Sequence, residues 1–182
     1  MTTYISMLRG INVGGHNKAP MNRLRAMFEA LGCEQVRTYI QSGNVVFKTA
    51  KSAPSFLSRK IEERILMDFG FSVSVISRTS AELGKAIHNN PFLREKGIDP
   101  LQLHVTFLSQ APVRTALRKL DTLATDPDRF RCSRREIYLH CPDGYGRTRL
   151  SNNALEMALS VTATTRNWRT VNKLYEMAME QG

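Results

Sequence analysis

A chain of 182 residues, 42% apolar and 23% charged, suits one buried core or two small ones and is ordinary for a globular protein. No run approaches the ~20 apolar residues of a membrane helix, and no basic region leads into a long apolar segment near the start, so neither a membrane partner nor a secretory signal is expected. The formal charge of +10 is spread out, +6 through residue 80 and +4 beyond it; such diffuse basicity raises affinity for polyanions without marking a tail.

Residues 4–8 read as a first strand. The glycine-rich stretch Leu8-Arg9-Gly10-Ile11-Asn12-Val13-Gly14-Gly15 follows. Pro20 suits the first turn of a helix on which Met21, Leu24, Met27, Phe28 and Leu31 recur at helical spacing, with Gly32 at its C-terminal cap. Residues 35–40 are rich in strand formers, Ser42-Gly43-Asn44 makes a tight turn, and residues 44–48 return as another strand. Leu57, Ile61, Ile65 and Phe69 mark a second helix ended by Gly70, and Val73 and Val75 alternate with serines in a half-buried strand. The order β-α-β-β-α-β over the first 78 residues is the split βαβ, or ferredoxin-like, pattern.

Thr79-Ser80-Ala81-Glu82 is a capping box that opens a helix carrying Leu83 and Ile87, and Asn89-Asn90-Pro91 stops it. Residues 89–100 read as a linker. Residues 101–107 alternate as a strong strand. Val113, Ala116, Leu117, Leu120 and Leu123 predict a helix after Pro112. Residues 129–132 and 136–140 form a hairpin, residues 143–146 a turn, residues 151–160 a short helix, and residues 167–179 a last helix with Trp168, Val171, Leu174 and Tyr175 turned inward. A fourth strand is either missing or hidden within residues 161–165. The expected fold is α+β: tandem ferredoxin-like plaits with antiparallel sheets and extra C-terminal helices. The expected boundaries are 1–78, a helix and linker at 79–100, and 101–182.

Cys33, Cys132 and Cys141 include no C-x-x-C, which argues for reduced thiols in a cytoplasmic protein rather than a disulfide scaffold. LRGINVGG at 8–15, TYIQSGNVVF at 38–47 and TTRNWRTVNKL at 164–174 resemble the bacterial "domain of unknown function 1697" family. The resemblance implies a pair of ferredoxin-like plaits in one small bacterial protein. It implies no activity, cofactor or catalytic residue.

The glycine loop is the first candidate site. Its spacing is neither G-x-G-x-x-G nor a P-loop. Gly10, Gly14 and Gly15 permit close backbone approach to a ligand; Arg9, Asn12, Asn17 and Lys18 add donors, and the helix start near Met21 adds partial positive charge. Ser42 and Asn44 project polar groups at one end of the sheet. In a plait the end of strand one and the turn between strands two and three need not share an end, which argues against joining them to the loop. Thr165, Arg166 and Asn167 precede the last helix; Asn167 or Thr165 would cap it, and Arg166 and Arg169 at a helix start call for another partner, an acid or an anion. An inter-domain cleft joining this segment to the glycine loop is the preferred site.

His16, His88, His104 and His140 lack metal-ligand spacing, so no metal set and no cofactor are expected. His16 is the candidate base of a cofactor-free enzyme acting on a phosphorylated or acyl substrate. Whether the chain is an enzyme stays open. The nucleic-acid alternative would use Tyr4 and Tyr39 as stacking rings and Arg129, Arg131, Arg134 and Arg135 as a basic hairpin. The leading expectation is a binding or regulatory module for a small anionic molecule, as a monomer or a homodimer; a protein-interaction scaffold is the bland option.

Overall fold

Strands β1 (Thr2–Leu8), β2 (Glu34–Tyr39), β3 (Asn44–Thr49) and β4 (Val75–Thr79) form an antiparallel sheet in the order β2-β3-β1-β4. This is seen in a computed structural model that describes residues 1–181. Helices α1 (Met21–Ala30) and α2 (Pro54–Phe69) cover one face of the sheet. Tyr4, Leu8, Val45 and Phe47 point into that layer and meet Leu24 and Phe28 of α1 and Leu57, Ile61 and Ile65 of α2. The Phe28 and Phe47 rings stand 5.0 Å apart. Tyr4 is fully buried; its hydroxyl donates to Ser52 O at 2.7 Å and accepts the Ser52 N–H at 2.9 Å. It therefore offers no ring to a nucleic-acid base, contrary to the stacking role expected of it.

Ile5, Met7, Val46 and Ile76 on the other face are buried as well. A strand buried on both faces shows only loose alternation, which is how residues 4–8 read. After β4 the capping box forms as expected. The Thr79 N–H donates to Glu82 Oε2 at 2.8 Å, the Glu82 N–H donates to Thr79 Oγ1 at 3.1 Å, and α3 (Ser80–His88) begins.

A second antiparallel sheet repeats the plan. Strands β5 (Leu103–Leu108), β6 (Arg129–Ser133), β7 (Glu136–His140) and β8 (Ala163–Asn167) run in the order β6-β7-β5-β8. A short α4 (Arg114–Leu117) and α5 (Asn152–Leu159) pack on it around Leu108, Leu120, Ile137, Leu139 and Leu155. The hidden fourth strand is thus β8, and α6 (Trp168–Met179) follows it directly.

Two expectations for this half need correction. The helix expected over residues 113–123 is α4 followed by a 3-10 stretch, Arg118–Thr122. Val113 is exposed, so the apolar spacing does not define one buried stripe, and the Thr122 hydroxyl donates to Lys119 O, a local competitor for helical bonding. Residues 89–100 are not a bare linker. Asn90 Oδ1 accepts the Phe92 N–H, a 3-10 turn runs over Pro91–Arg94, and Phe92 is fully buried.

The chain divides into two compact units, residues 1–85 with the chain end from Lys173, and Ala86–Asn172. The division falls inside α3 and α6. Within the first unit the end of the chain lies against β2: Gln181 Nε2 donates to Gln35 O at 2.8 Å, and Arg37 bonds Glu180 at 2.7 Å.

Gly43, in the turn before β3, packs closely against the end of β1. Its φ is +74°, and a Cβ there would lie 2.8 Å from Leu8 Cβ and 3.4 Å from Ile11 Cβ. Gly32 has φ +81° with nothing within 4 Å. Gly43→Ala is expected to cost about 3 kcal/mol and Gly32→Ala about 1 kcal/mol, the difference being the clash. Denaturant midpoints of the two variants measure it.

Candidate functional site

The C-terminal end of β1 is tied on both sides. The Leu8 N–H donates to Gly43 O at 2.8 Å, and the Arg9 N–H donates to Ser74 O at 2.9 Å. Antiparallel pairing sets Met7 opposite Asn44, so the glycine loop and the 42–44 turn lie at the same end of the sheet. The topological argument that kept them apart fails because β3 is the neighbour of β1 and runs opposite to it, so the start of one meets the end of the other.

Asn12 locks the two segments together. Its Nδ2 donates to Ala19 O and to Gln41 O, both at 2.9 Å, and its Oδ1 accepts the Ala19 N–H at 2.8 Å. Its φ of +55° is one that asparagine tolerates better than most side chains. The Asn12 N–H also donates to Asn17 O at 3.2 Å, and Asn17 Nδ2 donates to Gly10 O at 3.2 Å. Ile11 and Ala19 are buried and anchor the loop to the α1 layer. In the adjoining turn, Asn44 is fully buried; its Nδ2 donates to Tyr39 O at 3.1 Å and to Ser42 Oγ at 3.0 Å. Asn12, Ser42 and Asn44 thus shape the site from within.

The tip of the loop is open. Val13, Gly14, Gly15 and His16 are exposed, and the His16 N–H closes the turn on Val13 O at 3.1 Å. Gly14 and Gly15 take φ of +59° and +78°. Arg9 is half-buried at the base, and Gly10 and Lys18 are exposed. The loop feeds α1, which starts after Pro20 without a side-chain cap. Arg9 and Lys18 therefore bring positive charge to the end of the sheet where the loop backbone is exposed.

Thr165, Arg166 and Asn167 lie in β8, in the second unit. Arg166 sits in the strand rather than at the helix start expected for it, and its side chain is buried. Its Nη1 donates to Thr164 Oγ1 at 2.8 Å and Thr165 O at 2.9 Å. Burial pushes its pKa down to about 10, which leaves it cationic at neutral pH. Thr165 Oγ1 donates to Asn152 Oδ1 at 2.7 Å and pairs with Thr106 Oγ1 at 2.7 Å. Asn167 caps α6, with Oδ1 accepting the Thr170 N–H at 2.8 Å. Arg169 is exposed on the first turn of α6.

Sequence reasoning passed over Arg78. It holds the same place in β4 that Arg166 holds in β8, is only 1% exposed, and donates to Ser77 O at 3.1 Å. The signal was a strand ending in arginine just before a helix cap, present twice: Arg78-Thr79 and Arg166-Asn167.

The remaining candidates are dispersed. His88 is exposed on α3. His104 lies in β5 with its ring stacked 5.0 Å from that of Tyr145, and His140 in β7 shares a 3.0 Å bond with Gln102 Oε1. Burial pushes the thiols of Cys33 and Cys141 up to about 11, so they stay protonated at neutral pH, while Cys132 is exposed. Among the described residues no three His, Cys, Asp or Glu side chains gather as a metal-binding group. Nor is any described helix long and apolar enough to cross a membrane. In the basic hairpin, Arg129 is paired with Glu95 at 2.8 Å, while Arg134 and Arg135 form the turn. Tyr39 ends β2 half-buried.

Two sheets of identical strand order, each carrying helices, define a tandem ferredoxin-like α+β protein. The chain belongs to the family described as "Protein of unknown function (DUF1697)", which matches residues 1–138; the 164–174 segment lies beyond that span. It is similar to a solved structure, conserved bacterial protein SP0830 from Streptococcus pneumoniae, with a TM-score of 0.79 and 24% identity over 97% of this chain and 98% of that one. At that identity the likeness concerns the fold alone. No curated protein matches the chain.

Asn12→Ala removes three hydrogen bonds and is expected to cost about 2–3 kcal/mol, read by chemical denaturation. A second expectation concerns pH. His104 Nδ1 is sealed from solvent with no hydrogen-bond partner among the described residues, and burial lowers the imidazole pKa below its ordinary 6.5. Burial, then the Arg129 charge, lowers that of His140 too. The unfolded chain therefore takes up these protons first. The stability involved is complete above about pH 6.5 and is lost as pH falls below it. Thermal unfolding from about pH 7.5 to about pH 5.5 should show a falling midpoint, and His104→Phe should flatten the fall.

Proposed function

We propose that this protein binds a small anion at the end of its first sheet, with the glycine loop as the contact surface. The observation that carries this reading is the use of Asn12. Three side-chain hydrogen bonds hold a loop whose tip, with two successive positive-φ glycines, faces solvent. That network satisfies the base of the loop and leaves the exposed Gly14-Gly15 tip outside it. Successive main-chain N–H groups in such a turn suit an anion, and the uncapped start of α1 adds to the field. Arg9 and Lys18 supply charge, and Gly10, Gly14 and Gly15 let the ligand approach the backbone. Asn12, Ser42 and Asn44 act by shaping. Thr165, Arg166 and Asn167 are engaged within their own unit, so the reading rests on the loop.

Nucleic acid has less support. Of the two sheet rings it would use, Tyr4 is buried under the helices.

Calorimetric titration with pyrophosphate tests the proposal. Saturable one-site binding is expected. It should weaken by at least about tenfold, or ~1.4 kcal/mol, in Arg9→Gln and in the Gly14→Ala, Gly15→Ala double variant. Lys119→Gln, in the second unit, should bind unchanged. Absence of saturable heat, or equal binding by all variants, would refute it.

A further inference from the structure

We infer that the open edge of the second sheet docks an extended acidic peptide, which adds to β6 as a fifth strand. Pairing within the β6–β7 hairpin decides which main-chain groups are already used. Arg129, Arg131 and Ser133 stand opposite His140, Tyr138 and Glu136. Across a two-residue turn Ser133 and Glu136 form a hydrogen-bonded pair, and every second pair repeats the pattern. The far side of β7 agrees in phase: Arg135 O accepts the Leu108 N–H, and the Cys141 N–H reaches Gln102 O. The N–H and C=O of Phe130 and Cys132 therefore point away from the sheet. The Phe130 carbonyl is met there by the guanidinium of Arg131 at 2.9 Å, an exposed cap that an incoming strand can displace.

The matching edge of the first sheet is closed. β2 breaks register between Glu34 and Arg37, Gln35 has φ +52°, and the Gln35 carbonyl accepts Gln181 Nε2. Bulges and covering segments are how sheets block strand addition. β6 keeps five pairs in unbroken register and ends its strand order.

What surrounds β6 specifies the partner. A groove of about 450 Å³ runs along it, with Leu117, Ala124 and Phe130 as apolar lining and Arg118 at its wall; Asp121 is its one carboxylate. Side chains alternate along β6; Arg129 and Arg131 also border this groove, but their guanidiniums reach the other face, 5.2 and 5.7 Å from the centre of the Phe92 ring. An added strand would thus place alternate residues in the apolar groove and the others beside Arg131 and the Arg129–Glu95 pair. That calls for a segment in which apolar and acidic residues alternate. A second copy of β6 paired antiparallel about Arg131 would set Arg131 against itself, which like charge disfavours.

The test uses a fluorescein-labelled peptide, Glu-Val-Glu-Leu-Glu-Val-Glu, the full-length protein, fluorescence anisotropy, and amide exchange by nuclear magnetic resonance. Saturable binding is expected, with slowed exchange at the Phe130 and Cys132 amides and at least a tenfold loss of affinity in Arg131→Glu. Two further peptides, N-methylated on odd or on even residues, keep the charge and leave the protein unaltered. One should bind normally and the other fail, because only one set of peptide amides faces β6. Equal binding by both methylated forms would overturn strand addition, as would no binding at all. A concentration-dependent dimer protecting the same two amides would place a second copy on the edge and overturn the acidic-peptide assignment.

Discussion

The end of β1 has to be closed before anything else in the first unit can be placed. β1 is a central strand; β3 and β4 both pair with it. Beyond Leu8 the chain leaves the sheet, and the main-chain groups of residues 9–20, which connect it to α1, need partners. Two contacts meet that need. Leu8 and Gly43 approach so closely that no side chain fits at position 43, and Asn12 bridges Ala19 to Gln41. The first contact joins the hairpin to the central strand. The second joins the loop to the hairpin and to the start of α1. The exposed tip is the part this network leaves over.

The second unit shows which features belong to the fold and which do not. The Leu108 N–H meets Arg135 O as the Leu8 N–H meets Gly43 O, and the Ser109 N–H meets Thr162 O as the Arg9 N–H meets Ser74 O. Ser6 and Ser77 share a 2.7 Å hydroxyl bond, and Thr106 and Thr165 share another at the same register. Each hydroxyl pair is joined by a helix side chain, Ser58 in α2 and Asn152 in α5. Arg78 and Arg166 repeat, and so do the caps Thr79 and Asn167. Polar groups that recur at equivalent positions answer the demands of the plait. The glycine loop of the first unit and the open edge of the second have no such counterpart.

The first plait was legible because its signals are local: Met21 to Leu31 and Leu57 to Phe69 keep helical spacing, and glycines end both helices. The second was harder for reasons visible in the residues. α4 is only four residues long, and β8 is Ala-Thr-Thr-Arg-Asn, whose buried members include Thr164 and Arg166. Hydropathy reads such a strand as surface. The same limit applied to the candidate site. Arg9, Gly14 and Gly15 could be picked out by type. That Asn12 reaches Gln41, and that Ser42 serves Asn44, depends on which strand lies beside β1, and no local spacing encodes that.

The proposed anion site requires that the Asn12 network alone hold the glycine loop. Backbone ¹⁵N relaxation of residues 10–19 in the ligand-free protein tests it most directly. Order parameters near those of β1 and β3, about 0.85, are predicted throughout, including Gly14 and Gly15. Values below about 0.6 across the loop would mean that the Asn12 network does not hold it, and would contradict a pre-formed site.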